Sequence, residues 1–475
     1  MRSSQPFTIA VEAPTAPLSI DAGNPYLFRY DGRPLVLAGS QNLRLHADFA
    51  FARDIPAIMS EPGGLADFFD AYRERGWNFY RLWCYHSTGL GAVGSPNGEF
   101  TSPLPWLRTG PGNANDGLPK FDLSRYEQAF YDRLEQVVAV GKEHGIIFAI
   151  MLWDAYAFGG TSFIEGSPWH EPNNINGVAI QTAGADDNGW SGMFGSPEPD
   201  VVDFQNDYVK KTIDVLNGYP NLMWELSNEL YGSPWHEDLR DLIRSYEAGL
   251  PYQHLILCSH GGRAQDDIWT SRAPQATMDL GDCLAPGHNW RDDASIGGNF
   301  RSDPPLISAY ADKPGIADMD HIWASLSPAD HVLPRKLFCR GYHYCLYEAY
   351  DETVWLPSGW RAYLDDPTFD LARRNSGLAA TILNTRFGNL ANARPRSDLS
   401  TSGYCYAEPG ESYLVYQAEQ ASFTIGGLVD GATYRVERIN PESYSVTESF
   451  DFQASGASHT LDAAYANQVV FVERV

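Results

Sequence analysis

The feature that most constrains this chain is a rhythm: from about residue 35 to residue 350, short apolar runs alternate with amphipathic stretches. A strand buried on both faces reads as a continuous apolar run, and the crossover helix that follows it shows the 3.6-residue period, so the alternation predicts βα units around a parallel sheet. The candidate strands are residues 35–39 (LVLAG), 79–83 (FYRLW), 146–151 (IIFAIM), 222–225 (LMWE), 254–258 (HLILC), 283–285, 315–318 and 344–347. Eight such units predict a (β/α)8 TIM barrel, an α/β fold of roughly 250 to 400 residues. A chain of 475 residues therefore has room for a second, smaller module.

The helices between the strands obey the same logic. In residues 124–144, Phe130, Leu134, Val137 and Val138 fall on one stripe and Gly145 follows as a stop. Leu239, Leu242, Ile243 and Tyr246 share a face of DLRDLIRSYEAGL, and FFDAYRERG ends on Gly76 just before the second strand. Two long connections, residues 86–120 and 155–202, interrupt the rhythm after strands two and three. Loops of that length inside a domain are functional or disordered, and these follow the strand ends where barrel enzymes build their sites. Their aromatic content predicts ordered walls. After about Asp398 the pattern becomes strands separated by turn residues (SYLVYQ, SFTIGG, ATYRVERIN, SYSVTESFDF, QVVFVERV), which predicts an all-β sandwich. The expected division is an N-terminal strand segment at 1–30, which would pack on the sandwich or close the bottom of the barrel, a barrel at 31–394 and a sandwich at 395–475.

A formal net charge of −26 would repel nucleic acid at long range, so a neutral ligand is the simpler expectation. The six cysteines show neither a CxxC pair nor zinc-ligand spacing and read as buried free thiols. No metal and no cofactor is expected. The N-terminal segment lacks the apolar core of a signal peptide and the chain has no run of 18 apolar residues, which predicts a cytoplasmic protein without a membrane partner, unless a leader has been removed. Aromatic residues make up 13%, including 13 Trp and 26 Tyr. They serve two aromatic-rich cores or a cleft whose flat rings stack on sugars, with Trp153, Trp169, Trp290 and Trp323 the candidates for stacking.

The strongest chemical signal is WELSNE at residues 224–229, where a short apolar strand runs into an Asn-Glu pair. Glycosidic cleavage needs a carboxylic acid to protonate the leaving oxygen and a polar neighbour to hold a substrate hydroxyl, and Glu229 with Asn228 supplies both. A lone NE pair more often caps a helix; its place at the end of the fourth strand is what points to catalysis.

WELSNE resembles the acid/base motif of the retaining, cellulase-like superfamily of (β/α)8 glycoside hydrolases, and GWNFYRLW at 76–83 resembles its strand-two motif. The resemblance spans most of residues 25–390. It implies that Glu229 is the acid/base, that Arg81 braces the catalytic carboxylates and that the second carboxylate follows strand seven. There the chain departs from the superfamily: KPGIADMDHIW (313–323) offers Asp318 and Asp320 and no glutamate. The DxDHxW run, PWHEPNN at 168–174 and RGYHYCLYE near strand eight are similar to a less-studied branch whose members end in a small β-sandwich named for collagen binding, and residues 398–475 resemble that module.

Asp318 and Asp320 lie two apart, so on an extended strand they face one side; Asp318 is the first choice of nucleophile, Asp320 the second, with His321 able to orient either. Glu348 at the end of strand eight is held in reserve. His86, Asp154, His260, His288, Trp290 and Trp323, with Arg81, Asn228 and Trp169, complete the expected substrate-binding set, and Asn42 also falls at a strand end. The expected reaction is double displacement on a carbohydrate, exo-acting if the two long loops enclose a pocket. A catalytically inactive sugar-binding barrel and a metal-dependent hydrolase or lyase are the alternatives. The sugar and the oligomeric state stay open.

Overall fold

The computed structural model describes residues 16–41, 44–50, 54–88, 101–158, 162–180, 190–228, 230, 234–259, 283–285, 302–309, 312–319, 328–348, 359–440, 443–462 and 464–475. Eight parallel strands form the central sheet: β1 (Ala38–Gln41), β2 (Phe79–Trp83), β3 (Ile147–Met151), β4 (Leu222–Glu225), β5 (Ile256–Ser259), β6 (Cys283–Ala285), β7 (Ile316–Met319) and β8 (His343–Tyr347). Their hydrogen-bonded order is β6-β5-β4-β3-β2-β1-β8-β7, and β6 and β7 at the two ends of that order lie side by side, so the sheet curls into a barrel. Around it run α1 (Gly64–Glu74), α2 (Gln128–Glu143), α3 (Pro199–Leu216), α4 (Pro234–Glu247), α5 (Pro328–Cys339), α6 (Gly359–Leu364) and α7 (Pro367–Arg386). This is the expected (β/α)8 barrel.

The helices form where the pattern placed them, and for local reasons. At α2 the Glu127 side chain accepts from the Ala129 N–H and caps the first turn, while Phe130, Leu134, Val137 and Val138 are buried. The chain then turns at Gly145 with φ +70°. The first strand is displaced from its expected place at 35–39. Leu35 pairs with Phe28 in a small antiparallel sheet, and the barrel pairing starts at Ala38 and continues through Ser40 and Gln41. The apolar run there reflects burial of the chain on its way into the barrel. The strand itself is half polar.

Alternation along each strand divides the barrel interior into layers. At the N-terminal ends of the strands, Phe79, Ile147, Met223, Leu257 and Ile316 form an apolar layer, which Leu18 and Phe28 of the N-terminal segment close from below. That segment folds as strands Ser19–Asp21, Asn24–Tyr30 and Arg33–Leu35, an antiparallel plug for the bottom of the barrel. Two residues further along, the inward positions become Arg81 on β2, Glu225 on β4 and Asp318 on β7. The interior thus changes from apolar to charged within one pleat.

Residues 101–126 are more regular than a loop: strands Trp106–Asn113 and Pro119–Tyr126 pair as an antiparallel ribbon. Register shifts within the ribbon blur the two-residue period, which is why the sequence did not display it. The C-terminal region is a sandwich. A six-stranded antiparallel sheet contains Arg394–Pro395, Cys405–Glu408, Ser412–Gln417, Gln468–Arg474, Thr433–Ile439 and Val446–Gln453, and it faces a pair formed by Phe423–Gly426 and Ser458–Leu461. Three of its strands, Cys405–Glu408, Ser412–Gln417 and Gln468–Arg474, are buried on both sides over most of their length. Cys405, Ala407, Tyr413, Val415, Val470 and Val472 pack within the sandwich, while Tyr406, Leu414, Ile439, Val469 and Phe471 join the core of the barrel. From α7, Arg386 reaches Glu437 at 2.5 Å and Glu473 at 3.2 Å, with its guanidinium 4.1 Å above the Phe471 ring.

Candidate active site

The charged layer is organised by Arg81. Its Nε donates to Glu225 Oε2 at 2.7 Å and Nη2 donates to the other oxygen of the same carboxylate. Nη1 donates to Asp318 Oδ2 at 2.9 Å and to Gln41 Oε1, and Nη2 also donates to Asn228 Oδ1 at 2.8 Å. Gln41 completes the ring by donating Nε2 to Asp318 Oδ1. All five side chains are buried. Burial alone would lower the basicity of Arg81, but the Glu225 and Asp318 carboxylates outweigh it and raise it well above the ordinary value.

The local folding that permits this is specific. A Cβ on Gly39 would stand 1.6 Å from the Phe79 carbonyl oxygen, so only glycine lets β1 approach β2 closely enough to bring Gln41 level with Arg81. From the outer face, β4 is fixed by Glu247 of α4, which accepts from Trp224 Nε1 at 2.7 Å, His254 N–H at 2.9 Å and Asn217 Nδ2 at 3.0 Å. Burial would raise the Glu247 carboxyl, but its bonds to His254 and Trp224 prevail and hold it below its ordinary value. Asn228 follows β4, donates its N–H to the Trp153 carbonyl and bridges to Asp154 at the end of β3. Asp154 in turn donates its N–H to His86 Nδ1 at 3.2 Å.

The expected residues therefore separate. Arg81, Asn228 and Asp318 come together, and Asp154 and His86 stand beside them. Glu229, Asp320, His260, His288, Trp290, His321, Trp323 and Asn42 lie outside the described residues. Two expectations are corrected by packing. Trp169 and Trp153 are fully buried, 5.8 Å apart between ring centres, in an aromatic cluster with Trp106, Tyr208 and Phe194, so neither presents a ring face to a ligand. His86 belongs to the same cluster, stacked on Trp153 at 4.8 Å, and burial pushes its imidazole down to about 3. The PWHEPNN stretch is a structural knot: Asn173 and Asn174 are buried and bond loop carbonyls at 165, 167, 168, 170 and 178.

Glu348 is corrected as well. Arg373 donates Nε and Nη2 to its two oxygens at 3.0 and 2.7 Å, and Tyr363 adds its hydroxyl at 2.8 Å. Both oxygens are held and the residue is fully buried, which suits an anchor for α7 rather than a nucleophile.

Two residues of the layer, Gln41 and Glu225, went unanticipated, as did Trp83 beside it. Trp83 is the next inward position after Arg81; it is only partly buried, and its indole donates to Gln41 Oε1 at 3.3 Å. With Tyr347, the partly buried inward residue ending β8, it gives the mouth an aromatic surface. The signal for Glu225 was present in the sequence: a charged residue inside an apolar barrel strand, two after Met223. A small cavity of about 120 Å³ lined by Trp153, Trp235, Gln205 and Asp238 lies by α3 and α4, apart from this layer.

Residues 96–294 match a family described as a domain of unknown function, DUF6298. No curated protein matches the chain. Among solved structures, a candidate glycoside hydrolase from Bacteroides vulgatus ATCC 8482 aligns with a TM-score of 0.60 at 15% identity, covering 98% of this chain and 84% of that one. A glycoside hydrolase family 5 protein from the same organism gives 0.57 at 14% identity, covering 97% and 93%. A third, described as a glycoside hydrolase, gives 0.56 at 12%, covering 96% of each chain. The fold is that of known glycoside hydrolases. Each of these alignments runs through barrel and sandwich together, so the similarity is one of whole architecture.

Proposed function

We propose that this chain is a retaining glycoside hydrolase, with Glu229 as acid/base and Asp318, backed by Asp320, as nucleophile. The observation that carries the reading is the buried layer of Arg81, Glu225, Asp318, Gln41 and Asn228 beneath the barrel mouth. Taking each ion out of water costs several kcal/mol, and a buried ion pair can often be replaced by apolar side chains without loss of stability. A layer retained for stability would resemble the apolar one below it. Chemistry explains the charges better.

In this reading Arg81 and Gln41 keep Asp318 ionised and aimed at the anomeric carbon, because donors to a carboxylate favour its charged form. Asp318 displaces the leaving group to form a glycosyl ester while protonated Glu229 delivers its proton to the departing oxygen. Glu229 then removes a proton from the water that hydrolyses the ester. Asn228, adjacent to Glu229 and tied to Arg81, is placed to bond a hydroxyl of the sugar. Trp83 and Tyr347 supply the stacking surface first sought in Trp153 and Trp169. The ribbon after β2 and the long segment after β3 favour a closed pocket and release of sugars from chain ends.

The test is hydrolysis of a panel of aryl pyranosides and furanosides of both anomers by wild type and by Glu229→Gln. The variant should lose activity steeply, on the order of 10²–10⁴-fold, on poor leaving groups and much less on activated ones. Equal loss on both removes Glu229 from the acid/base role, and wild-type silence on every substrate favours a non-catalytic sugar-binding barrel.

A further inference from the structure

Double displacement uses two carboxylates, and the layer holds a third. Glu225 is fully buried, sits on β4 four residues before Glu229, and takes Nε and Nη2 of Arg81 in a bidentate fork. Among the described residues, Asp318 takes one N–H of Arg81, from Nη1 at 2.9 Å, and accepts from the neutral amide of Gln41. One guanidinium thus serves two anions, and the better share goes to the carboxylate with no part in the chemistry. A planar fork is the strongest pairing an arginine makes, and a carboxylate so paired is a poor nucleophile because its charge is already neutralised.

We propose that Glu225 is a positioning residue that acts through Arg81: by occupying the fork it turns the guanidinium so that Asp318 is oriented by one N–H and keeps its nucleophilic charge. The inference rests on the glycosidase reading and extends it to a residue outside the catalytic pair. Other titratable side chains face this group from neighbouring strands. The Cys345 thiol on β8 bears on Arg81, and the Cys258 thiol on β5, pushed up to about 12 by burial and by Glu225, is uncharged at neutral pH. Lys313, just before β7, acts on Cys258 in the opposite sense. From β1 and β3 the neighbours Gln41, Ala149 and Met151 carry no charge.

Glu225→Gln preserves shape and removes the competing charge. Asp318 then gains the whole influence of Arg81 and loses a nearby anion, and both changes favour its ionised form. The acid limb of the kcat/KM profile should move to lower pH by on the order of 0.5–1 unit, with a loss of kcat at the optimum. Glu225→Asp keeps the charge and should leave the limb at its wild-type position. If Glu225 only supports the barrel, both variants lower activity with the limb unmoved, and the proposal is overturned.

A second arm does not depend on turnover: thermal midpoints of Glu225→Gln, Asp318→Asn and the double variant. When one carboxylate is lost the other still neutralises Arg81, whereas loss of both strands a buried cation. The double variant should therefore fall by more than the sum of the single losses; additive losses overturn the sharing of Arg81. Should wild type cleave no substrate, the glycosidase reading fails while this cycle still decides whether the guanidinium is shared.

Discussion

Arg81 and Arg373 show how one residue type serves two ends within a single barrel. Both are fully buried and both fork a glutamate, Glu225 and Glu348 respectively. Arg373 forks Glu348, with Asp370 also bearing on it and Tyr363 closing the group, whereas Arg81 is shared between the carboxylates of Glu225 and Asp318 and bonds two amides. The difference predicts opposite outcomes for similar changes. Glu348→Gln should cost about 3–5 kcal/mol in urea unfolding, because it strands the buried Arg373 charge, while kcat on the best aryl glycoside stays within a few-fold of wild type in the fraction that remains folded. Abolished turnover at full stability would return Glu348 to the catalytic set.

At the scale of elements, strands were the most legible part of the sequence and polar strand ends the least. Phe79–Trp83 and Leu222–Glu225 lie where their apolar runs predicted, because burial on both faces leaves no ambiguity, and Cys283–Ala285 also forms a strand at its expected place. Ser40 and Gln41 read as loop since a barrel interior can turn polar within one strand, and no local pattern announces where. The site was half visible for the same reason. Motif position singled out Arg81 and Asn228, but the partnership of Gln41 and Glu225 exists only once β1, β2, β4 and β7 are brought together. The tryptophans misled because composition cannot tell a cleft from a core. The sandwich was legible as alternating strands, yet its attachment to the barrel was not: the alternation marks two faces and does not say that both are covered. Phe471 lies on the face toward the barrel, under Arg386. Phe471→Ala should cost about 3–5 kcal/mol and unfold barrel and sandwich in one transition, checked by comparing tryptophan fluorescence with far-ultraviolet dichroism; two separate transitions would show that the modules fold independently.

For the whole molecule, acid should lower stability through its buried histidines. Burial holds His46 and His86 neutral down to about 3, and His343 to about 4. His343 is fixed as a neutral tautomer, with Nδ1 accepting from the Leu37 N–H and Nε2–H donating to the Tyr26 carbonyl. In the unfolded chain these imidazoles take up a proton near pH 6.5, so between about 4 and 6.5 the unfolded state binds more protons and stability falls as pH falls. At pH 5 each contributes a loss of roughly 2 kcal/mol relative to pH 7. His46 is the one to change, since among the described residues neither ring nitrogen has a hydrogen-bond partner and its ring lies among Tyr85 and Phe130. His46→Leu should shrink the drop in melting temperature between pH 7 and pH 5; an undiminished drop would place the acid sensitivity elsewhere. Charge at the scale of the chain points the same way as the site, because a surface of net −26 favours neutral ligands over anionic ones.

A retaining mechanism requires a carboxylate at the end of β7 to attack a sugar. The direct measurement is intact-mass and peptide mass spectrometry after incubation with a 2-deoxy-2-fluoro glycoside bearing an activated leaving group, its sugar and anomer chosen from the panel. The expected result is one added fluoroglycosyl group per chain, carried by Asp318. An adduct on Asp320 would move the nucleophile by two residues and keep the mechanism; an adduct on a residue outside β7, or turnover of the parent glycoside with no adduct and inversion at the anomeric carbon, would contradict it.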